Sequence, residues 1–209
     1  MWQATWETLY MVALSTFLTA ILGIPLGVLL VVTDRDQLFE QRILHKTIGL
    51  VVNIFRAVPF IVLILFLLPV TKMIVGSTLG SSAAVIPLVA GAAPFFARLV
   101  ETAIREIDRG VIDAAKAMGA THFEIIIKVL LPEAKPAILS GLTVTCVSLV
   151  SFSAMAGIVG GGGLGDAAYR FGFQAFQDQM LYICGSILIV IVQIVQFVGD
   201  WISRKVDKR

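Results

Sequence analysis

Apolar residues in this chain fall into blocks of about twenty, separated by shorter polar connections. A membrane-crossing helix needs about 20 mostly apolar residues. Five stretches meet that length, at about 9–32, 48–70, 82–100, 137–158 and 181–202. The pattern predicts an all-α integral membrane protein with five transmembrane helices in one domain, 1–209. The first block contains Gly23, Pro25 and Gly27, which membrane helices tolerate. Trp2, Trp6 and Tyr10 stand before it, residue types that anchor at the membrane interface. In the second block Pro59 either bends the helix or starts its regular part. Pro87 and Pro94 interrupt the third, which ends near Arg98 and Glu101.

The connection between the third and fourth blocks, about 105–135, has a different texture. Its centre, Asp113–Pro132, reads DAAKAMGATHFEIIIKVLLP. Ala114, Ala115, Ala117 and Met118 favour a short helix, and Gly119 is where it should stop, because glycine accepts left-handed dihedrals. Thr121 with Glu124 three residues later has the form of a capping box opening a second helix. Pro132 is expected to limit that helix from behind. The stretch is therefore expected as helix, glycine turn, helix.

Composition agrees with a membrane solvent. Of 209 residues, 58% are hydrophobic and 14% charged, against about 25% charged in soluble domains. A net charge of +2 gives no reason to expect a nucleic-acid partner. The opening MWQATWETLY lacks a basic n-region and a cleavage site, so no cleavable signal peptide is expected. Thirteen of the sixteen Lys and Arg sit in three segments. Arg35, Arg42 and Lys46 follow the first block. Arg98, Arg105, Arg109, Lys116, Lys128 and Lys135 surround the island, and Arg204, Lys205, Lys208 and Arg209 form the tail. Positive residues stay cytoplasmic, which puts the N-terminus outside and both the island and the C-terminus inside.

The candidate chemistry is sparse. Arg56, in NIFRAVPF, either lines a protein cavity or snorkels to the inner surface. Glu101 and Arg105, four apart, can pair. Gly160, Gly162 and Gly165 form a G-x-G-x-x-G, with Gly161 and Gly163 filling the run. A dinucleotide site would need a strand before it and a helix after it. Following a membrane helix, the run fits a flexible or tightly packed turn at the outer mouth instead. Ser148, Ser151 and Met155 share one face of the fourth helix. Small residues there serve helix packing or else line a translocation path, with Met155 as an apolar gate. Cys146 and Cys184 fall at different depths in apolar segments, so packing thiols are expected rather than a disulfide. There is no G-x-x-x-x-G-K-[ST], no H-E-x-x-H and no Cys/His metal spacing. Few carboxylates lie inside the apolar blocks, which leaves a proton relay without parts. An enzyme is not expected.

The island resembles the cytoplasmic loop of ATP-binding-cassette (ABC) importer permeases, with Asp113, Ala114, Ala115, Gly119, Leu131 and Pro132 at the motif positions. Asp113 stands where Glu is usual and Val129 where Ile is usual. The segments NIFRAVPF, AAPFFARLVETAIREI, SAMAGIVGGGGLGD and QFVGDWI are similar to the methionine-importer permeases in particular. That resemblance implies a type I importer permease fold in a bacterial inner membrane. It implies a second copy of the chain, two ATPase subunits that bind ATP and Mg, and a periplasmic or lipid-anchored methionine-binding protein. The chain itself would hold no cofactor or metal. Asp113, Ala114, Ala115, Met118, Gly119, Ala120 and Pro132 would dock the ATPase, and Met155 would lie at the gate. The competing readings are a carrier or channel working without ATP, and a purely structural membrane subunit.

Overall fold

The computed structural model describes residues 1–35 and 38–206. Lys208 and Arg209, counted above with the basic tail, lie outside the described residues. Among those described there is no strand. Helix α1 spans Trp2–Val32, α2 Arg42–Ala57, α3 Phe60–Val75 and α4 Ser81–Arg105. A short α5, Arg109–Ala117, precedes α6, His122–Glu124. From there a π-helical stretch, Ile125–Leu130, leads into α7, Leu131–Ala156. The chain then turns through α8, Gly163–Ala167, and finishes in α9, Asp178–Val206.

Four helices are long and apolar enough to cross a membrane, or five if α2 and α3 count together as one broken span. The break falls at Pro59, which both bends the block at 48–70 and starts its second half. Pro59 caps α3, and the residue before it, Val58, is extended at ψ 126°, as a following proline demands. The two halves meet at 112°. α2 follows the lower half of α4, where Asn53 Oδ1 accepts from Arg98 Nη2 at 3.0 Å. α3 follows the upper half, with the Phe60 and Leu63 side chains beside Gly91. Pro25, Pro69, Pro87 and Pro94 all sit inside helices without ending them.

Pro132 does not stop a helix either. From His122 the helix runs on through Pro132 to Ala156, and helical dihedrals are lost only at Val159 and Gly160. The wider π turn at Ile125–Leu130 lies immediately ahead of Pro132, and such turns absorb a missing donor and the ring's clash with the preceding turn. α1 also starts earlier than the block at 9–32, so Trp2 and Trp6 are on its exposed surface.

The bundle has two ends. At the basic end, Val31, Phe96, Val100, Ile104, Ile107, Ala115, Ile125 and Leu130 form one core. Toward the glycine end, Met11, Phe60, Leu88, Leu149, Leu164 and Cys184 belong to a second. α1 approaches α4 closely through Gly23 and Gly27, where an added Cβ would meet Phe96 Cδ1 and Ala97 O at 2.6 Å each. Small residues four apart allow this contact between membrane helices. Cys146 and Cys184 are free thiols.

Candidate functional site

The site is built around the turn between α5 and α6. Asp108 caps α5, accepting from Gly110 N–H at 2.6 Å, so the helix begins at Arg109, ahead of the island's first residue. Gly119 sits at φ +81° just past its end. Gly119 N–H donates to Lys116 O at 2.9 Å and Ala120 N–H to Ala115 O at 3.1 Å. These are the two bonds of a Schellman C-cap, which a left-handed residue makes possible. The capping box at Thr121 is present: Glu124 N–H donates to Thr121 Oγ1 at 3.3 Å, and Thr121 N–H to Glu124 Oε2 at 3.0 Å. The turn is clamped from both sides.

Lys128 Nζ also bonds Glu124 Oε1, at 2.8 Å. That bond, followed by those from Thr121, depresses the Glu124 carboxyl to about 2. A depressed carboxyl stabilises the folded turn above its unfolded value near 4.5, and that stabilisation fades as pH falls toward 2. Protection of the amides at Thr121–Ile125, taken relative to their intrinsic exchange rates, should therefore be flat with acidification to about pH 5 and fall below it. Glu124→Gln should remove the extra acid dependence; a variant with the same profile would contradict this assignment.

The turn presents apolar side chains outward. Met118 is 82% exposed and Phe123 67%, with Val111 and Ile127 beside them on the surface. Asp113, Ala114 and Gly119 are exposed, Ala120 is half-buried, and Pro132 is exposed on the long helix that follows. Ala115 points the other way, buried with Ile104, Ile107 and Ile125. It fastens α5 to the bundle.

Behind the turn lies a charged tie that local reading finds only in part. Glu101, 6% exposed, accepts from Arg98 Nη1 at 2.6 Å and from Arg105 Nε at 3.0 Å. Arg105 Nη2 reaches on to Asp34 Oδ2 at 2.6 Å, beyond the end of α1. That Arg105 bond holds the Asp34 carboxyl below the usual carboxylate range, against the opposing effect of partial burial. His45 Nε2 on α2 lies 3.8 Å from Asp34 Oδ1. The expected Glu101–Arg105 pair is thus the centre of a junction joining α1, α2 and α4. In addition the Phe39 ring meets His122 edge-on at 5.0 Å, linking the α1–α2 connection to the turn.

At the far end of the same helix, Ser151 and Met155 are exposed and Ser148 is half-buried, its hydroxyl donating to Val144 O at 3.0 Å. The three share a face that this chain covers only in part. The glycine run is a packed turn. Gly160 O accepts from Gly80 N–H at 2.9 Å, and a Cβ on Gly161 would sit 3.1 Å from Ala84 Cβ. A Cβ at Gly165 would run into the Ala154 backbone. Gly162 and Gly163 take φ +77° and +78°, and this turns two N–H groups toward α1. Gly163 N–H donates to Glu7 Oε2 at 2.8 Å and Leu164 N–H to Thr8 Oγ1 at 2.9 Å. The G-x-G-x-x-G spacing comes from this fold-back, with no βαβ unit around it.

An all-helical bundle of apolar spans, with a rigid turn at its basic end, is the architecture of a multi-pass membrane transport subunit. The chain belongs to the family of binding-protein-dependent transport system inner membrane components, which it matches over residues 23–209. It is 53% identical over 206 residues to a probable D-methionine transport system permease protein of Vibrio cholerae, covering 99% of this chain and 92% of that one. To the methionine import system permease protein of Bacillus subtilis it is 47% identical, covering 100% and 94%. Among solved structures, an inward-facing MetNI methionine ABC transporter superposes with a TM-score of 0.97 at 44% identity, covering 99% of this chain and 95% of that one. An amino acid ABC transporter shares the fold at a TM-score of 0.80 and 18% identity.

Proposed function

We infer that this chain is the membrane-spanning subunit of an ATP-driven methionine importer. The observation that carries the reading is the rigidly capped turn that exposes Met118 and Phe123: apolar side chains held outward in this way suit docking a partner. The partner is an ABC ATPase, which binds ATP and Mg; this chain holds neither. The charge asymmetry supports placing the basic end in the cytoplasm and the glycine end outside, with both Trp2 and the Gly160–Gly165 turn facing the binding protein that delivers methionine.

Two copies line one path, and the partly exposed Ser148–Ser151–Met155 face supports that arrangement. ATP binding draws the two docked turns together. The helix that leaves the α5–α6 turn at His122 also carries the gate residues, about 35 Å from Pro132 to Met155 at 1.5 Å per residue. Displacement at one end can therefore tilt the other. Differential binding at the ATPase of a few kcal/mol is enough to shift the inward–outward population a hundredfold.

The test is reconstitution of this chain with its ATPase and binding protein in vesicles. Methionine should accumulate only with ATP inside the ATPase compartment. Accumulation without ATP, driven by an ion gradient, would replace this reading with a secondary carrier.

A further inference from the structure

The broken span carries a feature that docking and gating leave unused. A cavity of about 230 Å³ opens at the α2–α3 break, lined by Phe55, Arg56, Phe60, Gly91, Phe95 and Phe152 among others. Its depth follows from its neighbours: Gly91 is close to the midpoint of the 25-residue α4. Phe60 and Phe152 stack at 4.3 Å between ring centroids and form one wall. Gly91 is small enough to let that wall close, since a Cβ there would stand 3.2 Å from Phe60 Cδ2. Among the described residues no carboxylate side chain lines the cavity.

A guanidinium at this depth is costly to retain unless it faces protein or water and meets an anion. Arg56 is exposed and is one of the residues lining the cavity, and its planar fork matches a carboxylate bidentately. The phenyl rings around it favour a flexible thioether, because sulfur makes favourable contacts with ring edges. The volume, below the roughly 300–1,000 Å³ of pockets for drug-sized ligands, suits a single amino acid. The first turn of α3, without a side-chain cap, opens beside it. Half-helix ends of this kind gather at substrate sites in membrane transporters.

We propose that Arg56 and the aromatic cavity at the α2–α3 break form a transient subsite for methionine inside the membrane, Arg56 taking the carboxylate and Phe60, Phe95 and Phe152 the side chain. This rests on the importer reading above. It is tested with the assembled permease–ATPase complex and labelled methionine, without binding protein. Arg56→Gln should weaken binding about tenfold or more and Arg56→Lys should recover part of it, while methionine amide should bind wild type and Arg56→Gln alike. In vesicles Arg56→Gln should raise the concentration for half-maximal uptake more than it lowers the maximal rate. Equal binding by wild type and Arg56→Gln overturns the subsite, as does equal discrimination between methionine and its amide. A defect that follows the phosphatidylglycerol content of the vesicles, and not methionine, assigns Arg56 to a lipid headgroup and also overturns it. A wild-type complex that imports no methionine sinks the importer reading instead.

Discussion

Gly119→Pro is expected to abolish ATP-driven uptake while leaving the bundle folded. Proline fixes φ near −65°, whereas Gly119 stands at +81°. It also deletes the N–H that donates to Lys116 O. Both halves of the C-cap then fail, and α5 loses its fixed angle to α6. Nothing lies within 4 Å of a Cβ at this position, so the damage comes from backbone strain and not from a clash. Gly119→Ala isolates that strain, at about 1–2 kcal/mol for a left-handed alanine, and should give partial uptake. Asp113→Lys probes the exposed face of the same helix by charge reversal and should lower uptake with no loss of α5. Retained ATP-dependent uptake in Gly119→Pro would remove the turn from the coupling route. Gel filtration and thermal unfolding in detergent separate that result from collapse.

Glu101→Ala should give the largest loss of stability, about 3–5 kcal/mol, the usual consequence of removing one partner from a buried charge cluster. The carboxylate is the shared acceptor for Arg98 and Arg105. Without it two guanidiniums are left along one face of α4, Arg98 keeping only Asn53 and Arg105 only Asp34. Glu101→Gln retains an acceptor but not the charge and should fall between wild type and Glu101→Ala. Combined with Arg105→Ala, the Glu101→Ala effect should shrink, because much of it is the stranded cation. Additive effects in that cycle would show that the tie is not a single unit.

What could be seen in the sequence follows the range of each interaction. The Gly119 stop and the Thr121–Glu124 box involve residues at most five apart, and both were legible. The Asp108 cap is equally local, a short acceptor side chain two residues ahead of Gly110, and it marks the start of α5 at Arg109. Proline was ambiguous. Pro59 breaks a span while Pro25, Pro87 and Pro94 do not, and Pro132 is carried through by a π turn. Which outcome prevails depends on packing partners that a local window does not contain. Arg105 was paired correctly with Glu101, but its second partner lies 71 residues away on Asp34. The direction of Ala115 was also hidden, since alanine carries no polarity to distinguish a docking face from a core.

The clasp between Glu7, Thr8 and the Gly163–Leu164 turn joins groups 156 residues apart. At the usual 5–20 residues per second of synthesis, α1 must wait about 8–30 s before the backbone it binds has been made. Through that interval Glu7 Oε2 and the Thr8 hydroxyl lack their backbone donors, and the Glu7 carboxylate keeps only the bond from Gln3 Nε2 on its own helix, at 3.0 Å, beside water or headgroups. The first helix therefore enters the bilayer as a provisional tenant, and its final seat is taken only after the glycine turn has emerged. The last quarter of the chain then sets the time at which the bundle closes.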